Sequence, residues 1–506
     1  MASEHGSTDP GPPSSGPPGT PSGPPGTPSD DAPPGGGAYT STLSTRHLPG
    51  VEVRDLPAAP TDTWRILGPG LVGAGVGLAS GEFILWPYIA SQVGLVFLWG
   101  AVIGVMTQWF LNMEIERYTL ATGETALTGF SRLWKHWGLV FAVMTYFANM
   151  WPGWATSSAT LVSYIFGGNV TAIAIAILLI CGAVLTLAPV VYTALERVIV
   201  VKVAAIGVFI LVAIIFAITG DAWRNLGQAV THIGQFPDLQ FALMLGAIAY
   251  AGAGGGQNLC QSNWIRDKRF GMGAYVPRLV SPVTGQEEAA PSTGYVFAPV
   301  GDNLTRWRAW WRFANLEQAA TFVLITAFTI GFMSMLAFST VFGREGLPDD
   351  IAFLQVEGNA LKESVGPWFG YFFWVIGAYA LFAGAMGIID YTSRLAADLV
   401  ATVYLRGSGV SESRVYFWLV WGLVAFGCLV LLAGLDQPLV LLVISSCVAG
   451  VMMAIYGVLL ILMNKRALPP AIRIKTFRTA VIALAVVFYG TLGIITIIQQ
   501  GSQLFE

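Results

Sequence analysis

The stretch GVGLASGEFILWPYIASQVG, Gly75 to Gly94, places one carboxylate, Glu82, inside an apolar run whose glycines weaken a helix. A charge near the centre of a bilayer costs about 2.5 to 3.5 kcal/mol even on the gentler insertion scale. Glu82 therefore implies a polar purpose. Gly75, Gly77, Ser80 and Gly81 make the middle of this segment easy to unwind, and unwound backbone is tolerated in lipid where it faces a protein-lined cavity. Gly73, Gly77 and Gly81 also sit four apart, so close helix packing explains the same pattern.

Around this stretch, 54% of the 506 residues are hydrophobic and 11% charged, the balance of a polytopic membrane protein. The formal net charge of -3 gives no reason to expect a nucleic-acid partner. Cys181, Cys260, Cys428 and Cys447 have no metal or redox spacing and fall in apolar segments, where a buried thiol is the plain reading. Residues 1–62, rich in Pro, Gly and Ser, are expected to form a disordered cytoplasmic tail.

Eleven segments are long and apolar enough to span: 66–90, 95–118, 139–166, 170–188, 190–218, 239–264, 317–342, 366–393, 414–434, 437–463 and 478–499. An inside amino terminus puts 23 of the 26 Lys and Arg residues on cytoplasmic connections or helix ends, leaving Arg224, Arg344 and Lys362 outside. The RWRAWWR stretch in the connection after the sixth span then reads as an interfacial belt. The expected domains are the tail 1–62, a first repeat 63–218, a second repeat 239–466 containing a cytoplasmic insertion 265–313, and a final helix 478–500.

The sixth span, LGAIAYAGAGGGQNLCQSNW, is interrupted at Gly252, Gly254, Gly255 and Gly256 and followed by Gln257 and Asn258. The first and sixth spans are thus broken alike, each with four spans after it. Matched interruptions in two halves point to a transporter of inverted repeats with its site between the breaks.

These residues resemble the NRAMP family of divalent-metal transporters. The stretch from Gly68 to Trp99 matches that family's first span without a gap, and the likeness continues through Ala121–Glu124 and Asn258–Leu259. The resemblance implies an all-α, LeuT-type fold of inverted five-helix repeats, about eleven transmembrane helices with helices 1 and 6 broken, and alternating-access transport. Where the family has DPGN this chain has Ala79, Ser80, Gly81 and Glu82, and where the family has MPH it has Gly255, Gly256 and Gln257. The metal-binding aspartate, the methionine and the histidine are all absent. The third span, FANMWPGWATSS, lacks the family's proton-carrying acids.

The altered set of Ala79, Ser80, Gly81, Glu82, Gly254, Gly255, Gln257, Asn258 and Ser446 offers only oxygen ligands, with Glu82 and Gln257 the candidates for a metal. Oxygen favours a hard ion such as Mn2+ or Mg2+ as the transported cation, with no resident cofactor. Glu82, alternating between proton and substrate, is the candidate for coupling. The competing reading is a small organic solute such as an amino acid, given room by Gly254–Gly256; a third is a sensor that transports nothing. None of the four histidines lies in a span, and no nucleophile and base pair occurs in one, so an enzyme is not expected. Asp390, Arg394 and Asp398, spaced i, i+4 and i+8, are expected to neutralise one another on one face of the eighth span, with an inner gate at Asp390 and Arg394 as the alternative. Glu114, Glu116 and Arg117 are expected to be solvated or paired at the interface. The chain is expected to be a monomer in the lipid bilayer of a bacterial inner membrane.

Overall fold

The computed structural model describes residues 41–61, 68–284, 293–435 and 438–505, the side chains of the last few excepted. Among the described residues helices coincide with each of the eleven predicted segments, seven or eight of them long and apolar enough to cross a membrane. Seven continuous helices are long and apolar enough to cross a membrane: Val170–Leu187 (span 4), Val191–Phe216 (span 5), Gly301–Thr340 (span 7), Pro367–Tyr404 (span 8), Glu412–Leu432 (span 9), Pro438–Ala467 (span 10) and Thr476–Gln499, within span 11. An eighth span is the pair Pro69–Gly77 (half 1a) and Gly81–Val93 (half 1b), bent by 42°. Spans 2, 3 and 6 are Leu98–Thr122, Trp137–Asn149 with Gly153–Phe166, and Phe241–Ala249 (6a) with Gly255–Asp267 (6b). Leu211, Ile215 and Phe216 on span 5 and Val487 and Ile494 on span 11 are exposed, as expected of side chains that face lipid tails.

Spans 4 and 5 separate where Ala188–Pro189 predicts, because proline removes a donor and Val190 leaves the helix to bridge Val280. Span 3 is interrupted at Met150–Pro152, which the sequence reading leaves continuous; here too a proline supplies the cause. The insertion 265–313 is shorter than expected, since Gly301–Gln318 is helical and runs on into span 7.

Residues 1–40 and 62 of the expected disordered tail lie outside the described residues. From Ser41 to Thr61 the expectation of disorder is corrected. Glu52–Val53 pairs in parallel with Tyr295–Val296, Leu43, Leu48 and Leu56 are buried, and Leu56 N–H donates to Asn303 at 2.9 Å. Glu124, of the ATGE stretch, binds Arg132 through both carboxylate oxygens, and Arg132 in turn donates to the carbonyls of Ser44 and Pro49. The RWRAWWR belt is likewise turned inward: Trp307 and Trp310 are buried, and the Trp310 indole donates to Pro57 O at 2.8 Å. This side of the bundle is the amino-terminal face.

Candidate functional site

The two breaks meet backbone to backbone. In span 1 the helix ends at Gly77, Ala79 N–H turns back to Gly77 O at 2.6 Å, and a π-turn over Gly81–Leu85 restarts the helix. In span 6, Gly252, Gly254 and Gly255 have positive φ, conformations that cost any side chain but glycine. A Cβ on Gly77 would strike Gly252 O, and one on Gly81 would strike Tyr250 O. The glycines therefore permit close approach of the two breaks. The expectation that Gly254–Gly256 leave room for a solute is corrected: a Cβ on Gly255 would meet Ala449, and one on Gly256 Thr145.

Unwinding frees peptide groups that need partners. Gln108 of span 2, fully buried, supplies four. Its Oε1 accepts from Ala253 N–H at 3.0 Å and Gly254 N–H at 2.9 Å, while its Nε2 donates to Ile248 O at 3.3 Å and Ala249 O at 3.0 Å. Sequence reading missed it, although an amide in an apolar helix is a signal of the kind Glu82 gave.

Between the breaks lies a small space of about 20 Å³, lined by Ser80, Gln257, Tyr250, Tyr391 and the backbone of Gly77 and Gly252. That is room for one water-sized particle. Two larger clefts of about 770 Å³ each lie elsewhere in the molecule, one lined by Glu196, Asp267 and Lys268, the other by Tyr88, Gln240 and Cys447.

Of the predicted site residues, Ser80 and Gln257 border this space. Gln257 also donates to Gly73 O at 2.6 Å, tying half 6b to half 1a. Ala79 packs against Gly384 of span 8. Asn258 turns to span 10, donating to Tyr456 OH at 3.0 Å, and Ser446 donates to Val443 O beside Gly246 of half 6a, away from the break.

Glu82 is fully buried on the π-turn, and neither carboxylate oxygen has a hydrogen-bond partner among the described residues. The polar groups facing it are the ammonium of Lys202 and the hydroxyl of Thr326. Lys202 is counted above among cytoplasmic helix ends; the structure corrects this. It lies midway along span 5, fully buried, its Nζ unpartnered and directed at the span 1 break beside Gly384. Among the described residues no three His, Cys, Asp or Glu side chains are grouped to hold a metal.

Asp390, Arg394 and Asp398 do not simply neutralise one another. Arg394 binds Asp390 in its own helix, with Nη2 at 2.9 Å, and reaches across to Asp267 of half 6b. Asp398 is bound instead by Arg266 of half 6b at 2.5 Å, and Arg266 also holds Glu412 of span 9 at 3.0 Å. Two arginines and four carboxylates, all buried, thus join the carboxyl-terminal parts of spans 6 and 8 to the amino-terminal end of span 9.

Two broken spans that meet at their interruptions within a bundle of apolar helices define a LeuT-type fold. Solved structures agree. Two mutant forms of the manganese transporter of Eremococcus coleocola superpose with TM-scores of 0.62 and 0.63 at 14% identity, each comparison covering 92% of both chains. The transporter Mhp1 of the nucleobase-cation-symport-1 family superposes at 0.50 and 12% identity, over 91% of this chain and 97% of that one. At these identities the likeness establishes the fold. No family model and no curated protein sequence matches the chain.

Proposed function

We propose that this protein is a proton-linked secondary carrier for a small solute without net positive charge, an amino acid being the type case. One observation carries the reading: the only carboxylate at the crossing of the described breaks faces a buried lysine, while the space between the breaks is bordered by neutral groups. A divalent cation beside Glu82 would also sit beside the Lys202 ammonium, and hard divalent ions draw their affinity from several anionic oxygens. The metal reading through Glu82 and Gln257 is therefore the weaker. An amino acid exceeds the space of about 20 Å³ between the breaks, so binding requires the half-helices to part, which is how alternating access works around a fixed midplane site. The distribution of basic residues supports an inside amino terminus in a bacterial inner membrane. We read the unit as a monomer and a carrier, neither an enzyme nor a sensor.

Binding calorimetry on the purified protein with Mn2+, Mg2+ and a panel of L-amino acids tests this. We expect heat from one or more amino acids and none from either metal at micromolar to millimolar concentrations. Saturable Mn2+ or Mg2+ heat that disappears in Glu82→Gln would replace this reading with the metal one.

A further inference from the structure

Glu116, expected at the interface, is instead fully buried, with both carboxylate oxygens unpartnered among the described residues. It projects from span 2 one turn beyond Asn112, whose Oδ1 is also unpartnered, and the charged group that acts on it is Glu317 of span 7. Glu317 is fully buried too. Its Oε1 accepts the Gly70 N–H at 2.8 Å and the Thr321 hydroxyl at 3.3 Å; its Oε2 and both amide atoms of the adjacent Gln318 have no partner among the described residues. Span 7 then runs as a π-turn over Ala319–Val323, a distortion that recurs at functional sites.

The remaining neighbours supply no counter-charge. Arg117 is taken by Glu114 and by Ile472 O, and Arg478 faces Glu114. From span 5 the unpartnered hydroxyl of Tyr192 lies within electrostatic reach of Glu196, Glu317, Asp267 and Arg394. Two adjacent buried carboxylates without a cation repel one another, so as pH falls the pair readily takes up one proton and shares it.

We propose that Glu116 and Glu317 form a proton-binding pair that controls the docking of half-helix 1a. Ionised, Glu317 accepts a charge-assisted bond from Gly70 at the positive end of a nine-residue helix. Gly70 has no space for a side chain, since a Cβ would stand 2.8 Å from the Glu317 carboxylate. When the proton settles on Glu317 that bond weakens and half 1a is freed to swing, so proton uptake and opening toward the amino-terminal face become one event. The inference needs half 1a and its mooring only, so its failure would leave the solute reading standing.

Hydrogen–deuterium exchange of the full chain in nanodiscs, followed against pH at Gly70 and Leu71 and corrected for intrinsic exchange, reads the docking directly. Protection is expected at high pH, with exchange rising at least several-fold as pH falls. Glu116→Gln removes the neighbouring charge, so Glu317 stays ionised further into acid and the transition moves down by roughly one pH unit or more. Glu317→Gln abolishes the pH dependence. In wild-type protein, the infrared carbonyl band of a protonated carboxyl should titrate with the exchange, a reading that needs no variant to fold. Exchange independent of pH in the wild type, a transition unmoved by Glu116→Gln, or absence of that band overturns the proposal.

Discussion

Replacing Gln108 by leucine should lower the stability of the protein by about 3 kcal/mol or more, because three buried peptide groups lose their partner at once and each orphaned group costs about 1 to 3 kcal/mol. The N–H groups of Ala253 and Gly254 and the carbonyl of Ala249 depend on Gln108, whereas Ile248 O also accepts the Ala251 N–H at 3.2 Å. Leucine fills the volume and offers nothing. The loss is a large fraction of the net stability of many domains, about 5 to 15 kcal/mol. Gln108→Glu keeps an acceptor for the two N–H groups and loses the donor, so it should fall between wild type and leucine. Unfolding in detergent, followed by denaturant titration, gives the comparison. A leucine variant as stable as wild type would mean that the break in span 6 is held by something else.

The second large effect concerns Glu82 and Lys202. Lys202→Met removes the cation that acts on the buried Glu82 carboxylate; the two groups make no hydrogen bond, so the expected loss is that of an unsatisfied buried group, about 1 to 3 kcal/mol. Adding Glu82→Gln should return most of that loss, because neither charge is then left uncompensated. A double variant as unstable as the sum of the singles would show that the two groups do not act on each other. The same pair should govern coupling. In proteoliposomes, uptake of an amino acid identified by calorimetry should depend on pH in the wild type and lose that dependence in Glu82→Gln. Unaltered pH dependence in that variant would separate Glu82 from the proton.

Much of this architecture is legible in the chain because the bilayer imposes a strict grammar. Twenty apolar residues make a span, and glycines clustered inside one make a break, so spans 1 and 6 stand out without any knowledge of their neighbours. What is hidden depends on partners distant in sequence. Lys202, in VIVVKVAAIG, looks like a helix-end lysine until span 5 is laid against span 1. Gln108 reads as one amide among apolar residues, and its meaning comes from carbonyls about 140 positions later. Glu116 follows Glu114 by two residues and so faces another side of the helix: Glu114 finds Arg117, while Glu116 finds only another acid. Residues 41–61 lack the composition of a folded segment and are ordered by pairing with 295–310, contacts that no local pattern announces. The break in span 3 was announced, by Pro152 between Trp151 and Gly153, and proline at the centre of an apolar run merited the weight that the glycines received.

That the gap between the two breaks is a passage open to each face in turn can be tested without knowing the solute. Ser80→Cys, which borders the gap, is placed in a background where the partly exposed Cys428 and Cys447 are changed to alanine, and the reconstituted protein is treated with a membrane-impermeant thiol reagent from each side separately. Labelling from both sides, with a bound solute shifting the balance between them, is the expected result. A thiol that reacts from neither side, or from one side alone under every condition, would contradict the account.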